Sequence, residues 1–217
     1  MDRSKQETFR QYVEENEDRY GIPDCTYCKC VAEFGELKIM DLDKQHEIRI
    51  LRPFFLIWGG MGRVLGYEGV KGIREKLKLI GSTIEPRRHD NLLAVDLDGI
   101  RDPITNLFDE IKETKFMNRK GIEKRVGSTA ASKTLHLACP DLFLMWDSDI
   151  RVHYKKRHGN GKDYFLFLTE MKLLWREMET AIADMQLRYG KRETKIIDQY
   201  NWIMAHKKAA TTFLSRD

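Results

Sequence analysis

Lys120-Gly121-Ile122-Glu123-Lys124-Arg125-Val126-Gly127-Ser128-Thr129-Ala130-Ala131-Ser132-Lys133-Thr134-Leu135-His136-Leu137-Ala138-Cys139-Pro140 runs directly into Asp141-Leu142-Phe143-Leu144-Met145-Trp146-Asp147-Ser148-Asp149-Ile150-Arg151-Val152. This stretch decides how the chain is read. It predicts a short helix reaching a tight turn at Gly127. A second helix starts there, with Ser128 or Thr129 as its cap, and stops before Pro140. Ala130, Ala131 and Ala138 give that helix a small face for near contact, and Leu135 and Leu137 anchor it. Free amides at its start, flanked by Lys124 and Arg125, suit a phosphate. The apolar run from Leu142 to Trp146 then emerges at Asp147, where an N-cap would sit before a further helix.

Outward from this segment the periodicity is helical. Val70, Ile73, Leu77 and Ile80 recur at three- and four-residue steps. Asp102-Pro103 reads as a cap with proline at the first helical position, followed by a face of Ile104, Leu107, Phe108 and Ile111. A long helix is expected over Tyr164 to Tyr189, capped by Asp163 and stopped by Gly190. Ile196, Ile197, Tyr200, Ile203 and Met204 make a last stripe. Phe9, Tyr12 and Val13 are docking points on a polar N-terminal segment. Three glycines follow Arg52-Pro53-Phe54-Phe55-Leu56-Ile57-Trp58, at 59, 60 and 62. No strand precedes them and no Gly-Lys-Ser/Thr follows, so they do not make a phosphate loop. Close helix packing is the expectation, with Trp58 in the core. The fold class is all-α: one unit over residues 1–217, arranged as two helical lobes.

Composition bounds the function. Among 217 residues, 41% are hydrophobic and 33% charged, too apolar for a disordered chain and too charged for a membrane protein. The longest apolar runs, Phe54 to Trp58 and Leu142 to Trp146, fall far short of the ~20 residues of a spanning helix. Met1-Asp2-Arg3-Ser4-Lys5 has no apolar signal core. A soluble, cytoplasmic monomer without membrane contact is expected. The formal net charge of +4 hides an asymmetry. Between Lys115 and Lys162 there are eleven Lys and Arg against four acids, a net +7 on a remainder of −3. A basic block in an acidic chain suggests a polyanion surface. Cys25, Cys28 and Cys30 have no second Cys pair to complete paired zinc knuckles, and Cys139 lies far away. Free thiols, no metal and no cofactor are expected.

The central segment resembles the helix-hairpin-helix (HhH-GPD) superfamily of DNA glycosylases. The resemblance covers about residues 105–157. It rests on a glycine-containing turn, a following helix, and an apolar run that ends in an aspartate 20 residues after Gly127. That aspartate opens Asp147-Ser148-Asp149-Ile150-Arg151-Val152. The resemblance implies a two-lobed helical glycosylase-like fold with a degenerate hairpin, because Arg125 stands at the family's first hairpin glycine. It implies that Asp147 is the catalytic carboxylate and that Val126, Gly127, Ser128 and Thr129 bind DNA. Thr129 stands where bifunctional members carry a lysine, which implies a monofunctional enzyme that hydrolyses without cutting the strand. Lys133, one helical turn further on, is a second catalytic candidate. The family's iron–sulfur cysteines are absent.

The expected function is therefore a DNA glycosylase acting on double-stranded DNA that contains a damaged, mismatched or modified base, in repair or in defence against modified phage DNA. The target nucleotide must leave the stack before its bond can be reached. Bond breaking places positive charge on the sugar, which a carboxylate at a helix start can stabilise. Trp146, His136 and Tyr154 are candidates for the base pocket. Arg151, Lys155, Lys156, Arg157 and His158, with Lys162, form a basic patch for the strand backbone, joined from another loop by Arg87 and Arg88. The alternative is a non-catalytic DNA-binding module on the same scaffold.

Overall fold

The computed structural model describes residues 3–20 and 24–214, with side chains described for 3–19 and 24–206. It is mostly helical. The elements are α1 (Arg3–Tyr20), α2 (Asp24–Gly35), α3 (Lys44–His46), two π-helical stretches (Glu47–Leu51 and Pro53–Trp58), α4 (Gly66–Ile84), α5 (Arg101–Lys112), β1 (Lys115–Met117), β2 (Glu123–Arg125), α6 (Ser128–Ala138), α7 (Ser148–His153), α8 (Gly161–Tyr189) and α9 (Glu193–Leu214). Among the described residues, no helix is long and apolar enough to cross a membrane.

The apolar run before Asp147 lies at the heart of the packing. Every residue from Leu142 to Trp146 is buried, each such side chain being worth about 1.5–3 kcal/mol. Trp146 meets Phe108 of α5 and Tyr164 of α8 edge-on, and these two rings stack at 4.5 Å. The α5 face of Ile104, Leu107, Phe108 and Ile111 is buried as its spacing predicts. Helix α1 joins the C-terminal helices: Phe9 stacks on Tyr200 at 4.6 Å, and Arg10 pairs with Asp184 at 2.5 Å. Helices α2 and α4 pack with the π-helical stretches. One buried apolar cluster runs through all of these elements.

Several local expectations are corrected. Residues 118–126, directly before Gly127, form no helix. Glu123–Arg125 pairs antiparallel with Lys115–Met117, with Lys115 opposite Arg125. The turn is set by Asn118, whose Oδ1 accepts the amides of Lys120 and Ile122, and by Gly121 at φ 70°. A short β-hairpin thus stands between α5 and α6 of a chain that is otherwise helical, consistent with the all-α class. Helix α5 grows out of a 3-10 turn (Asp98–Ile100), which leaves Asp102 inside the first turn instead of capping it. Asn160, not Asp163, caps α8, accepting the Asp163 amide at 2.9 Å. Asp163 instead takes the amides of His158 and Gly159 at 2.8 and 3.0 Å. Gly190, at φ 63°, ends α8 as expected.

The glycines after Trp58 end a helix and do not pack against one. The wide π turn brings the carbonyls of Phe54 and Phe55 beneath Gly59, where a Cβ would sit 2.9 and 2.8 Å from their oxygens. Gly60 then turns the chain at φ 64°. No side chain fits the first position, and the second strongly favours glycine.

Candidate functional site

Two helix starts are fixed to each other. Helix α6 begins at Gly127, whose φ of 82° and ψ of 166° lie in a region only glycine readily adopts. Neither Ser128 nor Thr129 caps it, because the N-cap position falls on Gly127 itself. The amides of Val126 and Gly127 are bound to Thr114 and Lys112 carbonyls at 3.0 Å, which ties this start to the end of α5. Ser132 Oγ bridges the backbone N–H and carbonyl of Trp146 at 3.2 Å, and Trp146 Nε1 donates to the Ser128 carbonyl. The next residue, Asp147, caps α7: its Oδ1 accepts the amides of Asp149 and Ile150 at 2.9 and 2.8 Å. This leaves Oδ2 outside the cap.

Asp147, Thr129 and Lys133 line one cavity of about 330 Å³, together with Trp58, Gly59, Trp146, Asp198 and Trp202. The size is at the low end of small-molecule sites, ~300–1,000 Å³. Lys133 Nζ donates to the Gly59 carbonyl at 3.0 Å and stands 5.1 Å from the Trp58 ring centre. Burial pulls its pKa down, against the opposing charges of Asp198 and Asp147. Helix α9 supplies the facing wall. Lys195 Nζ lies 3.5 Å from both Asp198 and Asp24. Burial pushes Asp198 up to about 6, with the charges of Lys195 and Lys133 acting in the opposite direction. At Asp24 burial also pushes up, but Lys195, Lys191 and the Trp58 indole outweigh it and hold the group below the usual carboxylate range. Lys191 and Trp58 Nε1 reach Asp24 at 2.6 and 3.0 Å.

Other expected site residues lie elsewhere. His136 is fully buried between the Tyr27 hydroxyl at 2.7 Å and the Phe143 carbonyl at 2.6 Å, and burial pushes its pKa down to about 3. It is a core histidine and does not line the cavity. Tyr154 donates to Asn201 at 2.6 Å and packs on Phe167, also away from the cavity. Trp146 borders the cavity yet is 1% exposed, so it forms a floor and offers little stacking face. Val126 is buried. Lys156 is buried against Glu170 at 2.6 Å, and Arg151 folds across Gly159, so neither stands free for a strand. Arg125 is exposed but pairs with Glu113 at 2.5 Å. Lys124, Lys155, Arg157, His158 and Lys162 are exposed. Arg88 is bound to Phe34 and Leu37 carbonyls, a structural role.

Asp149 is exposed and lies 3.3 Å from His206, which stacks on Trp202 at the cavity edge. Asp147, Asp149 and His206 bring ligand atoms within 4.8 Å of one another. A divalent cation would fit that spacing, and the direct His206–Asp149 contact accounts for it equally. Cys25 and Cys28 are exposed, Cys30 and Cys139 are buried, and all are free thiols.

The cavity also contains residues that the sequence did not single out. Trp58 is on the cavity wall and not simply in the core. Asp24, Lys195, Asp198 and Trp202 come from segments with no motif. The only signal was polar residues interleaved with the last apolar stripe. No family model, curated protein or solved structure matches this chain.

Proposed function

We propose that this chain is a monofunctional DNA glycosylase: it takes a damaged, mismatched or modified base from double-stranded DNA into the Trp58–Asp147 cavity and hydrolyses its N-glycosidic bond. One observation carries the reading. The residues picked out by the glycosylase resemblance, Thr129 and Asp147, meet on a single cavity, with Lys133 beside them. Trp58 and Trp202 give that cavity flat apolar walls suited to a planar base.

The chemistry follows from the charges. As the C–N bond breaks, the sugar becomes cationic, and Asp147 Oδ2 is available to stabilise it. Water adds at the sugar carbon and gives up a proton, while the departing nitrogen takes one up, so no net proton is consumed. Asp198, pushed up to about 6, is the carboxyl suited to hold that proton. Lys133 is engaged by the Gly59 carbonyl, and no covalent step is assigned to it.

The test is base release from a panel of lesion-bearing and naturally modified duplexes, followed by alkali. A free base, with strand cleavage only after alkali, supports the reading, and Asp147→Asn should bind DNA and release base on the order of 10²–10⁴ times more slowly. Tight binding with no base released from any duplex would favour the non-catalytic module, which the missing first hairpin helix also suits. Full release by Asp147→Asn would remove the aspartate from the mechanism.

A further inference from the structure

A second cavity, of about 480 Å³, lies between the Gly62–Glu68 segment and the β1–β2 turn. Four cations border it: Arg63 from one side, and Arg119, Lys120 and Lys124 from the hairpin. The single acid on its border is Glu68. None of the four cations has an ion-pair partner among the described residues, whereas Lys115 pairs with Glu123, Arg125 with Glu113, and Lys156 with Glu170. Arg119 is held with its guanidinium 5.3 Å from the Tyr67 ring centre, and Arg52 sits 4.4 Å from the same ring. Stacking fixes the Arg119 fork while leaving its N–H groups to donate.

We infer that this groove holds the phosphodiester backbone of a nucleic-acid strand. Three observations favour a strand over a free phosphate ester. The cations come from two separate segments, so they spread along a path. The hairpin amides that would make a tight phosphate nest are already used by Asn118. The groove also shares its chain segments with the base cavity: Gly59 borders the cavity and Gly62 the groove, while Lys124 borders the groove and Thr129 the cavity. A strand crossing the groove is therefore led toward the place where a flipped base would sit. In this respect the inference rests on the glycosylase reading, but its test does not depend on catalysis.

The experiment is the salt dependence of binding to a fluorescent duplex, by anisotropy, for the full chain. Each phosphate contact contributes a slope of about −0.9 in log K against log salt, so Arg63→Ala/Lys120→Ala should flatten the slope by about 1.8. Arg63→Lys/Lys120→Arg should restore it, and Lys38→Ala/Lys78→Ala, at exposed positions outside the groove, should not change it. An unchanged slope in the groove variant overturns the inference, as does equal flattening in the control. Calorimetric titration with inorganic pyrophosphate separates the other source. Saturable pyrophosphate binding that the groove variant loses, with an unchanged duplex slope, makes the groove a small-phosphate site and overturns the strand. Base release is scored separately. A flattened slope in a protein that releases no base would leave the groove standing and bring down the glycosylase reading alone.

Discussion

Asp147 and Asp198 face the same cavity and are held in opposite ways. Asp147 opens a helix, and one of its oxygens takes two amides. Asp198 sits within α9 with a side chain only 14% exposed, and burial pushes it up to about 6 despite Lys195 at 3.5 Å. The residue type is the same; the surroundings differ. One carboxylate is built into the start of a helix, where its position is stiff. The other is a buried group whose protonation changes close to neutral pH. A site with two such carboxyls can stabilise a cation with one and manage a proton with the other.

The largest expected effect separates the two directly. Asp147→Asn should slow base release by about 10²–10⁴-fold, while its melting temperature stays near the native value, because asparagine caps as well as aspartate. Equal rates would break the comparison. Asp198→Asn comes next. The carboxyl is raised from 3.8 to about 6, so the unfolded chain ionises first and native stability is lost as pH rises through this window. The variant should recover on the order of 2–3 kcal/mol at neutral pH. His136, pushed down to about 3, has the opposite sign and costs stability as pH falls below the ordinary histidine value. The measurement is therefore the difference between the two proteins in denaturant titrations across pH. Asp198→Asn should also remove the limb of the base-release profile centred near 6; a profile identical to the native one would leave Asp198 without a proton role.

Two smaller effects sharpen the contrast between the helix starts. Gly127→Ala forces a side chain into a glycine conformation and should cost about 1–3 kcal/mol, read as a fall in the denaturant midpoint. Asp147→Ala removes a cap and should cost ~1 kcal/mol. If the second loss exceeds the first, the start of α6 is less constrained than its backbone geometry implies.

Asp147 could be read from the sequence because it ends an apolar run and precedes helical spacing, a local pattern. Lys133 could be placed by one turn of helix. Asp198 could not. The stripe of Ile196, Ile197, Tyr200 and Ile203 gives a face to α9, but nothing local says that the intervening polar residues meet Asp24, which is contributed by α2. Trp58 was obscured in another way: a tryptophan in an apolar run looks like core, and only Gly59 ending the helix beside it opens a wall. The β-hairpin escaped because Glu123, Lys124 and Arg125 are all exposed, so no alternation marks the strand. Phe116 alone turns inward on the partner strand.

The origin of the cavity walls has a consequence for synthesis. Asn16, Asp24 and Trp58 come from the beginning of the chain, and Lys195, Asp198 and Trp202 from near its end. Helix α1 likewise waits for its partners, Asp184 and Tyr200. At the ribosome, ~5–20 residues are added each second. Helix α1 therefore spends about 10–40 s without α9 to cover it, with Phe9 and Val13 open to other chains. A ribosome stalled between residues 150 and 195 therefore leaves a product with the Asp147 wall and without the Lys195, Asp198 and Trp202 wall that faces it.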